Sequence, residues 1–227
     1  ISLTNATVTA NGDNGIYTSG GTLTISGGNV TATGSNGSGL YAYSDGLTIN
    51  GGTIIATGAG ANAAIYAYGG DITLTDADIT ATAANAYAIH ANNGKLTISG
   101  GSVNTDAEAT ETGHGLYASG DILITGSCQL KAFNAGDAIN SGSGITLIGC
   151  TVTANGGEDG NGLNAAGKIE IKNSENVTGM EVTASGKYGI ISTSAGSDGT
   201  VTISGVKVNA TGTSDDAIYA KTISLTR

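Results

Sequence analysis

The sequence predicts an all-β chain folded as a single-stranded parallel β-helix, and three observations support that prediction. A short apolar segment recurs along the whole chain with a period of about 25 residues, which is typical of solenoid proteins. The chain contains 39 glycines and no proline, so residues suited to tight turns are frequent and none interrupts a ladder of hydrogen-bonded strands. No stretch long enough for a helix shows the spacing of apolar residues that a helix requires.

The repeat is most regular in residues 23–46, which contain three short runs at 23–25, 30–33 and 40–43. Each run alternates apolar side chains with threonine or tyrosine, and this period of two indicates a strand with one buried face. Glycine, asparagine, serine and aspartate separate the runs and favour turns. One coil therefore has three strands and three corners, and the stack of coils has three sheets.

Each run recurs in every coil, so equivalent residues form three ladders along the predicted helix. The first ladder contains Ile1, Leu23, Leu47, Ile72, Leu96, Ile122, Ile145, Ile169, Val201 and Ile223. The second contains Val8, Val30, Ile54, Ile79, Val103, Leu130, Val152, Val182 and Val208. The third contains Ile16, Leu40, Ile65, Ile89, Leu116, Ile139, Leu163, Ile190 and Ile218. We expect about nine to ten coils, wound right-handedly because parallel crossovers have that hand.

The repeat covers the whole sequence, so we expect residues 1–227 to form a single domain. One coil cannot bury enough apolar surface to offset the entropy lost on ordering its backbone, and stacking on its neighbours supplies the missing stabilisation. The repeat has no recognisable cap at either end, and bare ends would expose pairing edges. We therefore expect the domain to be part of a longer chain with further coils or a capping element.

The two cysteines fit the same periodicity. Cys128 and Cys150 each lie two residues before an inward residue of the second ladder, so both are predicted to point inward on adjacent coils. A spacing of about 4.8 Å permits a disulfide, but parallel neighbours in register do not readily give its dihedral angle. We favour a stacked pair of free buried thiols over a disulfide.

Charge limits the expected partners. The chain has 18 acidic and 8 basic residues, a net charge of −10. Nucleic acid requires clustered lysine and arginine, so it is not an expected partner, and anionic membranes are disfavoured for the same reason. We expect neither membrane insertion nor a cofactor. The one metal considered is calcium, with two candidate acidic clusters: Asp106, Glu108 and Glu111, or Glu158 and Asp159.

Three short segments resemble motifs of the polygalacturonases, which hydrolyse pectin. Asn-Thr-Asp lies at 104–106, Gly-Asp at 136–137 and Gly-Asn-Gly at 160–162, where the family has Asn-Thr-Asp, Asp-Asp and Gly-His-Gly. In that family the aspartates protonate the glycosidic oxygen and activate water, so the resemblance implies Asp106 and Asp137 as the acid–base pair. Gly136 and Asn161 replace an aspartate and the histidine. A degenerate polysaccharide hydrolase is therefore our third interpretation of function.

A broader resemblance covers the whole chain. Segments such as 26–42 (SGGNVTATGSNGSGLYA) and 50–67 (NGGTIIATGAGANAAIYA) resemble the Gly/Thr-rich repeats of secreted bacterial surface proteins. Those repeats are similar to adhesin-type β-helices, which are often labelled carbohydrate-binding. The resemblance implies an extracellular, secreted or cell-surface location and a non-enzymatic role in binding or display.

The third ladder also predicts where a ligand would bind. An outward residue follows each of its inward residues, and these outward positions hold Tyr17, Tyr41, Tyr66, His90, Tyr117, Asn140, Asn164, Ile191 and Tyr219. Tyr43 and Tyr68 point outward two residues further on, so Tyr41, Tyr43, Tyr66 and Tyr68 should form a square with Tyr17 beside it. Exposed tyrosine rings stack on sugar faces, which makes the square the predicted glycan-binding site. Alternatively, the stacked rings only stabilise the sheet.

The outward positions include one of the chain's two histidines, His90, which replaces a tyrosine of the ladder and is expected to be a surface residue. With so few histidines, a nucleophilic triad is not expected. We therefore expect a monomeric, extracellular, non-enzymatic module that binds a glycan or another host or cell-surface ligand. A passive structural spacer of a cell-surface protein is the alternative.

Overall fold

The computed structural model describes residues 1–59, 63–84, 87–107, 113–174, 179–194 and 199–227, and it confirms the predicted all-β parallel solenoid of about nine turns. All regular structure in these residues is β-strand. The described residues accordingly contain no helix that is long and apolar enough to cross a membrane.

The strands, numbered in chain order, fall into three ladders. Two long strands, β1 (Ser2–Gly12) and β3 (Leu23–Gly34), each belong to both the first and the second ladder. The first ladder continues with β5 (Leu47–Asn50), β8 (Ile72–Thr75), β11 (Leu96–Ser99), β14 (Ile122–Thr125), β17 (Ile145–Ile148), β20 (Ile169–Lys172), β23 (Thr200–Ser204) and β26 (Thr222–Thr226).

The other two ladders are equally regular. The second continues with β6 (Thr53–Gly58), β9 (Asp78–Ala83), β12 (Ser102–Ala107), β15 (Gln129–Asn134), β18 (Thr151–Asn155), β21 (Glu181–Gly186) and β24 (Lys207–Gly212). The third consists of β2 (Ile16–Thr18), β4 (Leu40–Ala42), β7 (Ile65–Ala67), β10 (Ile89–Ala91), β13 (Leu116–Ala118), β16 (Ile139–Ser141), β19 (Leu163–Ala165), β22 (Ile190–Ser192) and β25 (Ile218–Tyr219).

The pairing register agrees with the three ladders predicted from the sequence. Leu23 pairs with Leu47, Val30 with Ile54 and Leu40 with Ile65, all in parallel. The third ladder is a separate sheet of nine strands, whereas the first and second ladders form one sheet of 17 strands. They are joined because β1 and β3 run through the first corner without a break, so hydrogen bonding continues from one face to the next.

The first corner requires a left-handed backbone conformation at the same place in most coils. Glycine occupies that place at positions 27, 51, 100, 126, 149 and 205, with φ between 60° and 72°. Asn5 and Asp76 occupy it in two other coils, with φ of 47° and 48°, and their short polar side chains tolerate this conformation. The following Gly28 has no room for a side chain, because a Cβ there would lie 2.6 Å from the backbone nitrogen of Ala6.

The inward residues of the three ladders form one continuous core. In the central coils they are almost completely buried, as at Leu40, Ile65 and Ile89. Cys128 and Cys150 are buried in this core on adjacent coils and are free thiols, as predicted. Burial raises the pKa of Cys128 to about 11, and burial together with the neighbouring Cys128 raises the pKa of Cys150 to about 12. Both therefore remain protonated and unreactive at neutral pH.

Burial in the solenoid depends on having a coil on each side. Ile65 of the third ladder is fully buried between Leu40 and Ile89, whereas Ile218, in the last coil of the same ladder, is only partly buried. The position of an apolar side chain along the rod therefore sets how much of its surface is buried, and so how much it contributes to the stability of the fold.

We expect Ile65→Ala to lower the free energy of unfolding by about 2–5 kcal/mol, because it removes fully buried methyl groups and leaves a cavity. The matched substitution Ile218→Ala, at the equivalent position of the last coil, should cost less than half as much. Urea titration followed by circular dichroism measures both. Equal losses would contradict a core whose burial is graded along the rod.

Candidate functional site

The third ladder and the corner before it form two columns of side chains along the rod, which we call the third-face strip. The outer column holds Tyr17, Tyr41, Tyr66, His90, Tyr117, Asn140, Asn164, Ile191 and Tyr219, in the predicted order. The corner column lies three residues earlier in each coil and holds Asn14, Ser38, Ala63, Tyr87, His114, Asp137, Asn161, Tyr188 and Asp216. Sequence reasoning missed the corner column, although its constant spacing from the outer column was a usable signal.

The four tyrosines of the predicted square are in contact. Tyr41 and Tyr66 stack with ring centroids 4.9 Å apart and 27° between their planes. Tyr43 and Tyr68 stack with centroids 5.1 Å apart and only 6° between planes. The two stacks meet edge to face, at 6.2 Å between Tyr41 and Tyr43 and 6.3 Å between Tyr66 and Tyr68. The square is therefore two parallel columns of rings along the rod.

The two columns of the square differ in exposure. Tyr43 and Tyr68 retain 45% and 41% of their accessible surface, whereas Tyr41 and Tyr66 are partly buried. Tyr17 is also 45% exposed, and its ring is tilted by 48° against that of Tyr41 at 5.1 Å. Because neighbouring rings stack, they cover one another's faces and present mainly their edges to solvent. Open ring faces remain only where a stack ends.

Tyr41 and Tyr66 stay protonated over a wide pH range. Burial, with smaller effects from Tyr41 and Tyr68, raises the pKa of Tyr66 to about 12. Burial and the nearby Tyr17 and Tyr43 also raise the pKa of Tyr41 above its ordinary value. Both phenols therefore keep a hydroxyl that can donate a hydrogen bond at physiological pH.

The aromatic column continues into a cluster formed by Tyr87, His90, His114 and Tyr117. His90 lies 5.0 Å from Tyr66 and 4.9 Å from Tyr117, and the corner residue Tyr87 lies 4.2 Å from it, all measured between ring centroids. His90 is a member of the outward ladder, as expected, and these rings partly bury its side chain. The ladder alone could not show this, since Tyr87 comes from the corner.

Both histidines are neutral at physiological pH. Burial, together with the nearby His114, lowers the pKa of His90 to about 4, against a smaller opposing effect of a hydrogen bond with Asn92. Burial also lowers the pKa of His114, although the charge of Asp137 opposes the shift. His114 Nδ1 lies 3.6 Å from Asp137 Oδ2, which is too long for a hydrogen bond, and it has no hydrogen-bond partner among the described residues.

Asp137 organises the polar part of the strip. Its Oδ1 accepts hydrogen bonds from the backbone N–H of Asn161 at 2.8 Å and from the Asn161 side chain at 2.6 Å. Its Oδ2 accepts from the side-chain amides of Asn140 at 2.5 Å and Asn164 at 2.9 Å. Four N–H donors thus satisfy both oxygens of a carboxylate that is only 6% exposed. Asp137 thereby joins its own coil, through Asn140, to the next coil, through Asn161 and Asn164.

The two carboxylates implied by the polygalacturonase resemblance lie in different surroundings. Asp106 is exposed on β12 of the second ladder, where its neighbours in the sheet are Thr82 and Phe133. Asp137 is buried at the corner before β16, with both oxygens occupied by amide donors. The structure thus gives Asp137 a role in holding the strip together.

One outward position of the strip is not open to solvent. Ile191 lies in the predicted outward column, but it is only 8% exposed and is therefore covered in this coil. Alternation along the strand sets the direction of a side chain and not what covers it. The strip is consequently interrupted between Asn164 and the exposed Tyr219.

The predicted calcium ligands are only partly described. Glu108 and Glu111 lie outside the described residues, while Asp106, Glu158 and Asp159 are exposed. Within the described ranges, no three His, Cys, Asp or Glu side chains are grouped so that they could hold a metal ion.

Neither a protein-family model nor a curated protein nor a solved structure matches this chain. The geometry of the third-face strip is therefore the main indication of its function. That strip has an exposed aromatic end, a partly buried histidine centre and an amide end.

We expect stability to fall as the pH decreases from about 6.5 towards 4. His90 and His114 have lowered pKa values in the folded chain, so below their ordinary value of 6.5 the unfolded chain binds protons first. The loss should be on the order of 2 kcal/mol and complete near the folded pKa of His90. His90→Tyr, which restores the ladder residue, should reduce the loss. Urea titrations of both proteins between pH 7.5 and about 4 test this; identical pH profiles would contradict it.

We expect Asp137→Asn to lower the free energy of unfolding by about 1.5–3 kcal/mol, because an amide cannot accept from all four donors. The control Asp106→Asn changes an exposed carboxylate and should stay within about 0.5 kcal/mol of wild type. Urea unfolding at neutral pH compares the two variants. A neutral Asp137→Asn substitution would show that the amide network does not stabilise the strip.

Proposed function

We propose that this chain is a non-enzymatic β-helix module that binds carbohydrate through the aromatic end of the third-face strip. The observation that carries the proposal is the exposed Tyr43–Tyr68 stack, in which the two rings are nearly parallel. Among the described residues, Tyr68 contacts only two rings, those of Tyr43 and Tyr66. The next coil continues the column with Asn92 rather than an aromatic residue, and we infer that the ring face of Tyr68 on that side is open to a ligand.

The surroundings of that ring face suit a sugar. An aromatic face packs against the C–H groups of a pyranose ring, and nearby amides bind its hydroxyls. Asn92 follows Tyr68 in the column, and the side chain of Asn93 donates a hydrogen bond to the carbonyl oxygen of Tyr68 at 2.8 Å. The hydroxyls of Tyr43 and Tyr66 offer further polar contacts along the stack.

The proposed contacts differ from those expected from the sequence alone. The sequence pattern suggests that sugars lie across the faces of all four rings of the square. Stacking covers most of those faces, so we assign the sugar contact to the open face of Tyr68 and hydrogen bonding to the ring edges. Tyr17, exposed at the first coil, supplies a similar site at the other end of the aromatic column.

The proposal also covers partners and location. The net charge of −10 disfavours nucleic acid and anionic membrane surfaces and is compatible with neutral glycans. An extracellular location at a bacterial cell surface rests on the resemblance of the repeats to surface proteins. We also propose that the module is monomeric and needs no cofactor.

A passive structural spacer is the second candidate, and ring stacking is the observation that favours it. Aromatic pairs on neighbouring strands stabilise a sheet by roughly 0.5–1.5 kcal/mol each. The strip contains several such pairs, among them Tyr41–Tyr66 and Tyr43–Tyr68. In a spacer, the tyrosines would serve only to stabilise the sheet through those contacts.

We expect Tyr68→Ala to weaken glycan binding at least about tenfold, or roughly 1.4 kcal/mol, because it removes the open ring face. A glycan array identifies the best ligand, and titration calorimetry then measures Kd. Tyr68→Phe should retain most of the affinity, since it keeps the ring. Tyr219→Ala, which removes an exposed tyrosine of the last coil, is the control and should bind like wild type.

Two outcomes would contradict the proposal in different ways. Wild-type affinity in Tyr68→Ala would place any binding site elsewhere on the rod. A wild-type protein that binds no glycan, combined with a loss of stability in Tyr68→Ala, would favour the spacer.

A further inference from the structure

Tyr43 and Tyr68 are the most accessible pair of stacked rings on the described surface. Their centroids are 5.1 Å apart, their planes differ by 6°, and both side chains are more than two-fifths exposed. Backbone hydrogen bonds hold the two residues in register, from Tyr43 N to the Thr18 carbonyl and from Tyr68 N to the Ala42 carbonyl, both at 2.9 Å. The backbone pairing of adjacent coils therefore holds the two phenol rings next to each other.

We propose that Tyr43 and Tyr68 form a site of oxidative cross-linking, at which the two phenols are joined as a dityrosine. Each phenol first loses one electron and one proton, which leaves two phenoxyl radicals with spin density on the carbons next to the hydroxyl. A bond then forms between one Cε atom of each ring. The hydrogen on each coupled carbon moves to oxygen as the rings become aromatic again.

The reaction balances with a peroxide oxidant. In total the two tyrosines lose two electrons and two protons. Hydrogen peroxide, acting through a peroxidase-type one-electron oxidant, accepts both electrons and both protons and becomes two molecules of water. The protein supplies the pair of rings and the proximity, which makes the coupling step intramolecular.

Geometry favours this pair over the other tyrosines. In Tyr41–Tyr66 the ring centroids are 4.9 Å apart, but both rings are partly buried, and burial raises the pKa of Tyr66 to about 12. Exposure lets Tyr43 and Tyr68 turn from a stack into the side-by-side arrangement of a biaryl. Tyr188 and Tyr219 are further apart, at 5.6 Å, and tilted by 56°.

The cross-link would act on stability independently of ligand binding. It joins equivalent positions of adjacent coils and so closes a loop of one full coil. A covalent loop restricts the unfolded chain much as a disulfide does, which in this fold adds to stacking between coils. The proposal goes beyond the proposed function, because it concerns the stability of the rod and requires no glycan.

The experiment treats the chain with horseradish peroxidase and a limiting amount of hydrogen peroxide. We expect a monomer lighter by two hydrogen atoms, with the blue fluorescence of dityrosine, and a peptide map that links the segments around residues 43 and 68. The midpoint of thermal unfolding should rise by roughly 5 °C. Tyr43→Phe and Tyr68→Phe keep the stacked rings but cannot form a second phenoxyl radical, so each should abolish the link.

Tyr219→Phe is the matched control, because it removes an exposed tyrosine outside the pair, and it should cross-link like wild type. Three results would overturn the proposal. They are an unchanged mass after oxidation, a link that maps to other tyrosines or between molecules, and an undiminished yield in Tyr43→Phe. Since both Phe variants conserve the stack, their loss of the link would not reflect a change of fold.

Discussion

In-register parallel pairing is the constraint on which the rest of this structure depends. It places equivalent residues of successive coils about 4.8 Å apart, so that each side chain meets its counterpart above and below. Leu40 stacks on Ile65 in the core, and Tyr41 stacks on Tyr66 outside it. The same backbone geometry therefore builds the apolar core and the aromatic strip. A change of residue type in one coil alters the surface locally without disturbing the pairing.

This one-dimensional arrangement explains why the third-face strip is graded along the rod. Its chemistry changes from tyrosine at the first coils to histidine in the middle and to amides around Asp137. A buried polar group in the strip needs hydrogen-bond partners, and Asp137 has four N–H donors, three of them from the next coil. His114, by contrast, keeps an unpartnered ring nitrogen among the described residues.

The rings that stabilise this sheet are also those that we propose contact a ligand. A tyrosine in the middle of a stack packs both of its ring faces against neighbouring rings. Only a residue that ends a stack therefore has a ring face left for a ligand. Tyr68 ends the exposed column because Asn92 follows it. Exposure and close contact also make Tyr43 and Tyr68 the pair best placed for covalent coupling. A solenoid can thus carry a small functional surface on a largely structural ladder.

The sequence alone determined the parallel solenoid, its three ladders, the inward free cysteines and the register of the tyrosine columns, because all of these follow from the period of the repeat. Only the tertiary structure decided that Ile191 is covered and His90 partly buried, that Tyr43 and Tyr68 are more open than Tyr41 and Tyr66, and that Asp137 binds three asparagines. The physical reason is that a period specifies which residues stack. It does not specify rotamers, or how side chains from a neighbouring corner cover the strand, and these depend on packing in three dimensions.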